Sequence, residues 1–202
     1  MIVEFNYPKA FVKKQAGVVL FTVLVFLVAL TLLALTSLRG STLGERLARN
    51  SVDKTLATQA AEAALRDAQA DILWVKADGT TCPPGAAAAI AGCRDNTQRP
   101  IIGEKHQGWQ GDATCSNGQC FANPKVGFTS PVWQDGNQWN KAVSYGRYTG
   151  ANPLPSVSKQ PVYLIEGFWI AARWQAFRIT AIGYGADQNT QVMVQSVFKP
   201  EL

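Results

Sequence analysis

Hydrophobic residues are unevenly placed along the chain. From Gln15 to Leu38 there are 24 residues without a charge, and Val18–Leu38 is apolar on every side of a helix. At a rise of about 1.5 Å per residue this stretch covers about 30 Å, the hydrocarbon thickness of a bilayer. Its polar members, Thr22, Thr31, Thr36 and Ser37, can bond back to the preceding helical turn, so lipid tolerates them. A core helix is the weaker reading, because a small domain has little room to bury six apolar turns. A cleaved secretory signal is also weaker: its apolar region is about 7–15 residues, and Leu38-Arg39-Gly40 is a poor cleavage site. Past Gly40-Ser41 the pattern becomes one-sided. Leu43, Leu47, Val52, Leu56, Ala60, Ala64, Ala68, Ile72 and Val75 form one narrow, Ala-rich helical stripe. The periodicity predicts a helix from Val18 to Lys76, about 88 Å long, stopped by Asp78-Gly79. Gly40 and Gly44 are its weak points, each costing about 1 kcal/mol relative to Ala, and could mark a kink. Gly40-x-x-x-Gly44 lies outside the apolar span, which weakens a dimer-motif reading.

Helical periodicity is lost over residues 77–161, which hold 11 of the 17 Gly and 8 of the 10 Pro. Cys82-Pro-Pro-Gly85 and Asp135-Gly136-Asn137 read as turns. Trp109, Trp133, Trp139, Tyr145 and Tyr148 are interleaved with them, and either close a small core or form a glycan- or partner-binding face. From Pro161 the chain becomes rich in β-branched and aromatic residues. Within 162–199 three runs predict an antiparallel meander. Phe177, Ile179 and Ala181 share one face of the second run, and Val192, Val194 and Phe198 share one face of the third. The stripe from Leu56 to Val75 is the obvious cover for that face. The expected fold is α+β: a long N-terminal helix packed on a C-terminal antiparallel sheet, with a loop-rich insert. Four segments follow: 1–17, 18–38, 39–76 and a head of 77–202, of which 77–161 is the loop-rich part.

Charge changes little. The 19 Lys+Arg against 14 Asp+Glu give +5, and without the first 17 residues the balance is 16 against 13. That mild excess does not argue for a nucleic-acid partner. Lys9, Lys13 and Lys14 precede the span and Arg39, Arg46 and Arg49 follow it, so basic residues alone do not orient it. Cys82, Cys93, Cys115 and Cys120 all follow the span in loop-rich sequence, which points to two disulfides and an oxidising compartment beyond the inner membrane, with the N-terminus in the cytoplasm. Three pairings can be drawn. Cys82–Cys93 with Cys115–Cys120 is favoured because each closes a short loop. A zinc site is the rival, but the separations of 11, 22 and 5 contain no C-x-x-C knuckle.

No catalytic constellation stands out. The single histidine, His106, sits beside Glu104 and Lys105 in loop sequence. There is no G-x-S-x-G, Walker or H-E-x-x-H motif. Gly183-Tyr-Gly185 follows a strand but lacks the third Gly and the following helix of a dinucleotide site. Asp135-x-Asn137-x-x-Asn140 lacks calcium-loop spacing. Neither enzyme activity, a cofactor nor a metal is expected.

The junction Lys13-Lys14-Gln15-Ala16-Gly17 followed by Val18-Val19-Leu20-Phe21 resembles a type IV prepilin cleavage site. Leu43-Gly44-Glu45-Arg46 with Ala48 and Asn50, then Gln59-Ala-Ala-Glu-Ala-Ala-Leu-Arg66, is similar to the N-terminal region of minor pilins of the PilX family. Phe177-Arg-Ile-Thr-Ala181, Thr190-Gln-Val192 and Gln195-Ser196 resemble that family's C-terminal strands. The patches cover about half of the chain. The resemblance implies a cytoplasmic leader, 1–17, removed by prepilin peptidase after Gly17, with methylation of the new amine on Val18. It implies a helix that is first an inner-membrane anchor and then part of a filament core. The implied partners are other minor pilins, the major pilin and a tip adhesin, with roles in pilus assembly, twitching motility and adhesion.

Two departures matter. Val18 stands where Phe or Met is commoner, and Thr22 occupies the fifth mature position, where major pilins carry Glu. Absence of that Glu is shared with PilX-like minor pilins and K-type pseudopilins, and points to a tip-proximal priming subunit. The competing readings are a type II secretion pseudopilin and a bitopic periplasmic binding module.

Overall fold

The computed structural model describes residues 17–83, 90–95, 98, 115–121, 131–170 and 173–200; side chains at 36–42, 121, 169–170 and 173–175 are left aside. The chain divides into two units, Met1–Arg49 and Asn50–Leu202. Helix α1, Val18–Leu73, is uninterrupted through Gly40 and Gly44, so neither glycine breaks it.

The helix ends earlier than its periodicity predicts. Trp74 takes a left-handed conformation, φ 60°. The Trp74 amide donates to the Asp71 carbonyl at 3.2 Å and the Val75 amide to the Ala70 carbonyl at 2.9 Å. This Schellman closure normally uses Gly, whose missing Cβ makes the left-handed region free of strain. Here a buried indole offsets the strain. Trp74 packs with Cys82 and Cys93, and its Nε1 donates to the Arg94 carbonyl at 3.4 Å. Asp78-Gly79 instead forms the turn of a short reversal closed by the Val75–Thr81 bridge, where the Asp78 carboxylate accepts from the Thr80 amide and hydroxyl.

Among the described residues the sheet has five strands: β1 Gln119–Phe121, β2 Val143–Ser144, β3 Val162–Ile170, β4 Arg173–Tyr184 and β5 Gln191–Phe198. β3, β4 and β5 form the antiparallel meander that the alternation predicts. Two strands from the loop-rich segment extend it: β1 pairs parallel to β3, and β2 pairs antiparallel to β3.

One face meets the helix. Ala64, Ala68 and Ile72 are buried against Tyr163, Ile165, Phe177, Ile179 and Ala181. Small side chains let the helix backbone come close to the strands. A Cβ placed on Gly183 would lie 2.1 Å from the Ala57 carbonyl oxygen and 2.3 Å from the Ala61 nitrogen. Gly185 in turn abuts the Asp53 carboxylate, which accepts from the Ala186 amide at 2.5 Å and so ties the β4–β5 turn to the helix. A hydrogen bond from the Thr190 side chain, against weak desolvation, holds Asp53 below the usual carboxylate range. The stripe is thus used only from Leu56 onward; Leu43, Leu47 and Val52 are exposed within this chain.

The opposite face is not left to solvent. The 3-10 turns Val132–Gln134 and Gly136–Lys141 bring Val132 and Trp139 onto Leu164 and the Cys115–Cys120 disulfide. On the same face the cross-strand neighbours Glu166 and Arg178 form a two-pronged ion pair at 2.7 Å, which holds the guanidinium above its ordinary pKa through the hydrogen bond to Glu166.

Candidate functional site

Gly17 stands immediately before α1 with φ +85°, a conformation that a residue with a Cβ adopts only with strain. Val18 is the first helical residue. From Val18 to Leu35 the helix is long and apolar enough to cross a membrane, and none of that segment is buried within the chain. Phenylalanine, leucine and valine side chains therefore project all round it and require an apolar surrounding that the described residues do not supply. Thr22 is accommodated locally: its hydroxyl donates to the Val19 carbonyl at 2.9 Å and lies 3.2 Å from that of Val18. Thr31 does the same toward Val28 at 2.8 Å. Both hydroxyls are satisfied within the helix, so they cost little in a medium without water.

In the head, Cys82 is bonded to Cys93 and Cys115 to Cys120. Both bridges are buried, and each anchors a loop to a different part of the fold. His106, Glu104, Lys105, Trp109 and residues 1–16 of the expected 1–17 leader lie outside the described residues. Three of the remaining loop aromatics are at work in packing. Trp139 closes the outer core and donates its Nε1 to the Trp133 carbonyl at 3.0 Å, while Tyr145 and Tyr148 pack against the inner core. Asp135, the first oxygen of the weak calcium pattern, caps a 3-10 turn. Its carboxylate accepts from the Asn137 amide and the Gln138 side chain at 3.0 Å each, which, led by the Gln138 bond, lowers its pKa.

The polar centre of the head escaped the sequence reading. Asp71, on the inward side of α1, receives Arg94 through two bonds of 2.7 Å and the Tyr163 hydroxyl at 2.9 Å. Both charged side chains are 1% exposed. A third bond runs from Arg94 Nη1 to the Asn117 carbonyl at 2.9 Å, and the guanidinium carbon lies 4.0 Å from the centre of the Tyr148 ring. The Arg94–Asp71 pair thus joins helix, sheet and both disulfide-bearing loops. Burial works against the Arg94 cation, but the charge and hydrogen bonds of Asp71 outweigh it and hold its pKa above the ordinary value. Burial, reinforced by Asp71, likewise keeps the Tyr163 hydroxyl protonated far beyond its usual range.

One turn earlier on α1, Asp67 accepts from the Gly146 amide at 2.8 Å and from the Thr149 hydroxyl, fixing the turn after β2. Desolvation raises its pKa despite these bonds. The available signal was positional: Asp67 and Asp71 are one helical turn apart and adjoin the stripe residues Ala68 and Ile72, so they fall on the inward side. The partner Arg94 carried no comparable signal.

The described residues thus comprise an apolar helix that they leave uncovered and a disulfide-stapled head locked around a buried ion pair. Comparison with known families agrees. Residues 16–66 match the family model described as PilX N-terminal. Residues 112–200 match the model described as type IV pilus assembly protein PilX, C-terminal. No curated protein and no solved structure matches the chain. The two family matches lie in order and take in the helix and all five strands, apart from the last turns of α1. PilX proteins are structural pilus components rather than enzymes. On these matches the chain belongs to the PilX family of type IV pilus assembly proteins and is a pilus-assembly minor pilin.

Proposed function

We propose that this minor pilin is cleaved after Gly17, N-methylated on Val18, and assembled near the pilus tip as a priming subunit. The observation that carries the proposal is Thr22. An α-amino group created at Val18 carries a charge, and a charge within hydrocarbon or a helix-packed filament core is costly. A carboxylate at the fifth position of the next subunit neutralises such an amine on the subunit ahead. Thr22 offers no charge, and its hydroxyl is already bonded to its own helix. A subunit of this kind is suited to a position with no subunit ahead of it.

The supporting chemistry is physical. Before assembly the apolar helix anchors the chain in the inner membrane, with the leader on the cytoplasmic side for prepilin peptidase. The two disulfides suit a periplasmic head. During assembly the helix exchanges lipid contacts for helices of the major pilin and other minor pilins. Van der Waals packing between helices replaces packing against acyl chains, so extraction has no large net apolar penalty. The head would then face the medium or a tip adhesin, with pilus-dependent twitching and adhesion depending on it indirectly.

Position in the filament tests this reading. Gold labelling of the head on native pili, viewed by electron tomography, is expected to mark one end of each filament. Label spaced uniformly along the shaft would contradict the priming role.

A further inference from the structure

A polar cleft of about 150 Å³ opens on the head between Asn117, Asn140, Lys141, Val143, Arg147 and Tyr148. We infer that this cleft binds a single acidic sugar residue, one that carries a carboxylate beside its hydroxyls. The inference concerns the head alone and is independent of leader cleavage or filament position.

The walls of the cleft are held in place. Asn117 lies in the tight turn inside the Cys115–Cys120 loop, where the Ser116 and Gln119 backbones exchange hydrogen bonds. Its carbonyl is held by Arg94 at 2.9 Å, and Gly118 follows it with φ +75° in direct contact with Val143. Across the cleft, Asn140 and Lys141 end a 3-10 turn capped by Asp135. Arg147 and Tyr148 belong to the turn that Asp67 clamps through Gly146 and Thr149. Arg94 braces the Tyr148 ring from 4.0 Å, and the Arg147 guanidinium carbon lies 5.5 Å from its centre. A site built on anchored turns binds without paying much ordering entropy.

The chemistry of the lining selects the occupant. Lys141 and Arg147 are exposed, and neither is in an ion pair among the described residues. Among the described residues no carboxylate lines the cleft. Two unneutralised cations on one small cleft favour an anion. The Asn140 amide and the Tyr148 hydroxyl add donors and acceptors, and Asn117, whose Nδ2 donates to Gln98 at 3.4 Å, adds its amide oxygen; a bare carboxylate does not use the acceptors. Tyr148 is half-buried, so only part of its ring is left to meet sugar C–H groups. The volume is below that of a typical drug-sized pocket, which limits the occupant to about one monosaccharide unit. An aspartate or glutamate side chain of a partner, or a fully ionised phosphate, would accept from the cations and the other donors but offer no proton to the amide oxygens, as sugar hydroxyls do.

The test uses the full chain in detergent micelles and saturation-transfer NMR with glucuronate, glucose, acetate and inorganic phosphate. Glucuronate is expected to saturate with a dissociation constant of about 1 mM, given the few atoms involved. Glucose, acetate and phosphate are expected to bind at least about tenfold more weakly. The double variant Lys141→Gln/Arg147→Gln should lose glucuronate binding by at least about tenfold while its unfolding midpoint stays unchanged, since both side chains are exposed. Equal binding of glucose would overturn the charge argument. Equal binding of acetate, phosphate or a glutamate-containing peptide would overturn the sugar assignment. Unchanged binding by the double variant, or no saturation by about 20 mM glucuronate, would overturn the site itself.

Discussion

Arg94→Met is expected to destabilise the head by about 3–5 kcal/mol, enough to leave much of the protein unfolded at growth temperature. The cause is the group left behind more than the one removed. Asp71 stays in a position 1% exposed, having lost both 2.7 Å bonds and keeping only the Tyr163 hydroxyl. A buried carboxylate with one neutral donor is far costlier than a paired one. The Asn117 carbonyl loses its partner as well, so the loop closed by Cys115–Cys120 is loosened from the helix. Removing both charges should hurt less: Arg94→Met/Asp71→Leu is expected to recover a large part of the loss, because an apolar pair of similar size avoids the desolvation penalty. Thermal and denaturant unfolding of the full chain in detergent measures all three proteins. A loss below about 1 kcal/mol for Arg94→Met would mean that the pair is solvated or does not form.

Gly183→Ala is expected to cost about 2–4 kcal/mol, an unusually large effect for one methyl group. The new Cβ would stand 2.1 Å from the Ala57 carbonyl oxygen, 2.3 Å from the Ala61 nitrogen and 2.9 Å from the Ala61 Cα. All three are helix backbone, which cannot rotate away as a side chain can. The helix must lift from β4, and the packing of Ala64 and Ala68 on Phe177, Ile179 and Ala181 loosens with it. Gly136→Ala is the matched control, since nothing lies within 4 Å of its added Cβ. It should change stability by less than about 0.5 kcal/mol. Equal stability for the two variants would show that the helix does not seat on the sheet through Gly183.

The same glycine shows what the sequence reveals and what it hides. Gly183-Tyr-Gly185 stood out, but only as a failed nucleotide motif; its purpose is the approach of Ala57 and Asp53, some 130 positions earlier in the chain. The apolar run, the Ala-rich stripe and the β3–β5 meander were legible because each announces itself through local periodicity. Short strands were expected within 77–161, but β1 and β2 could not be located, because three- and two-residue strands paired across the chain leave no period to read. The helix end was displaced because tertiary burial of Trp74 overrode the usual preference for glycine at a left-handed stop. Arg94 was invisible for the same reason: a lone arginine in a loop becomes a core residue only once Asp71, Tyr163 and Tyr148 surround it. At the N-terminus, Gly17, Val18 and Thr22 drew attention by their place at the edge of the apolar run. Their proposed roles depend on processing and on neighbouring subunits.

The proposed role requires that the apolar helix be kept after maturation and carried into the filament. Mass spectrometry of this chain recovered from sheared, purified pili tests that directly. The expected species begins at Val18, carries one added methyl on its amine and retains the entire 18–38 segment. A chain in the pilus fraction that still begins at Met1, or a soluble head that lacks this segment, would contradict it.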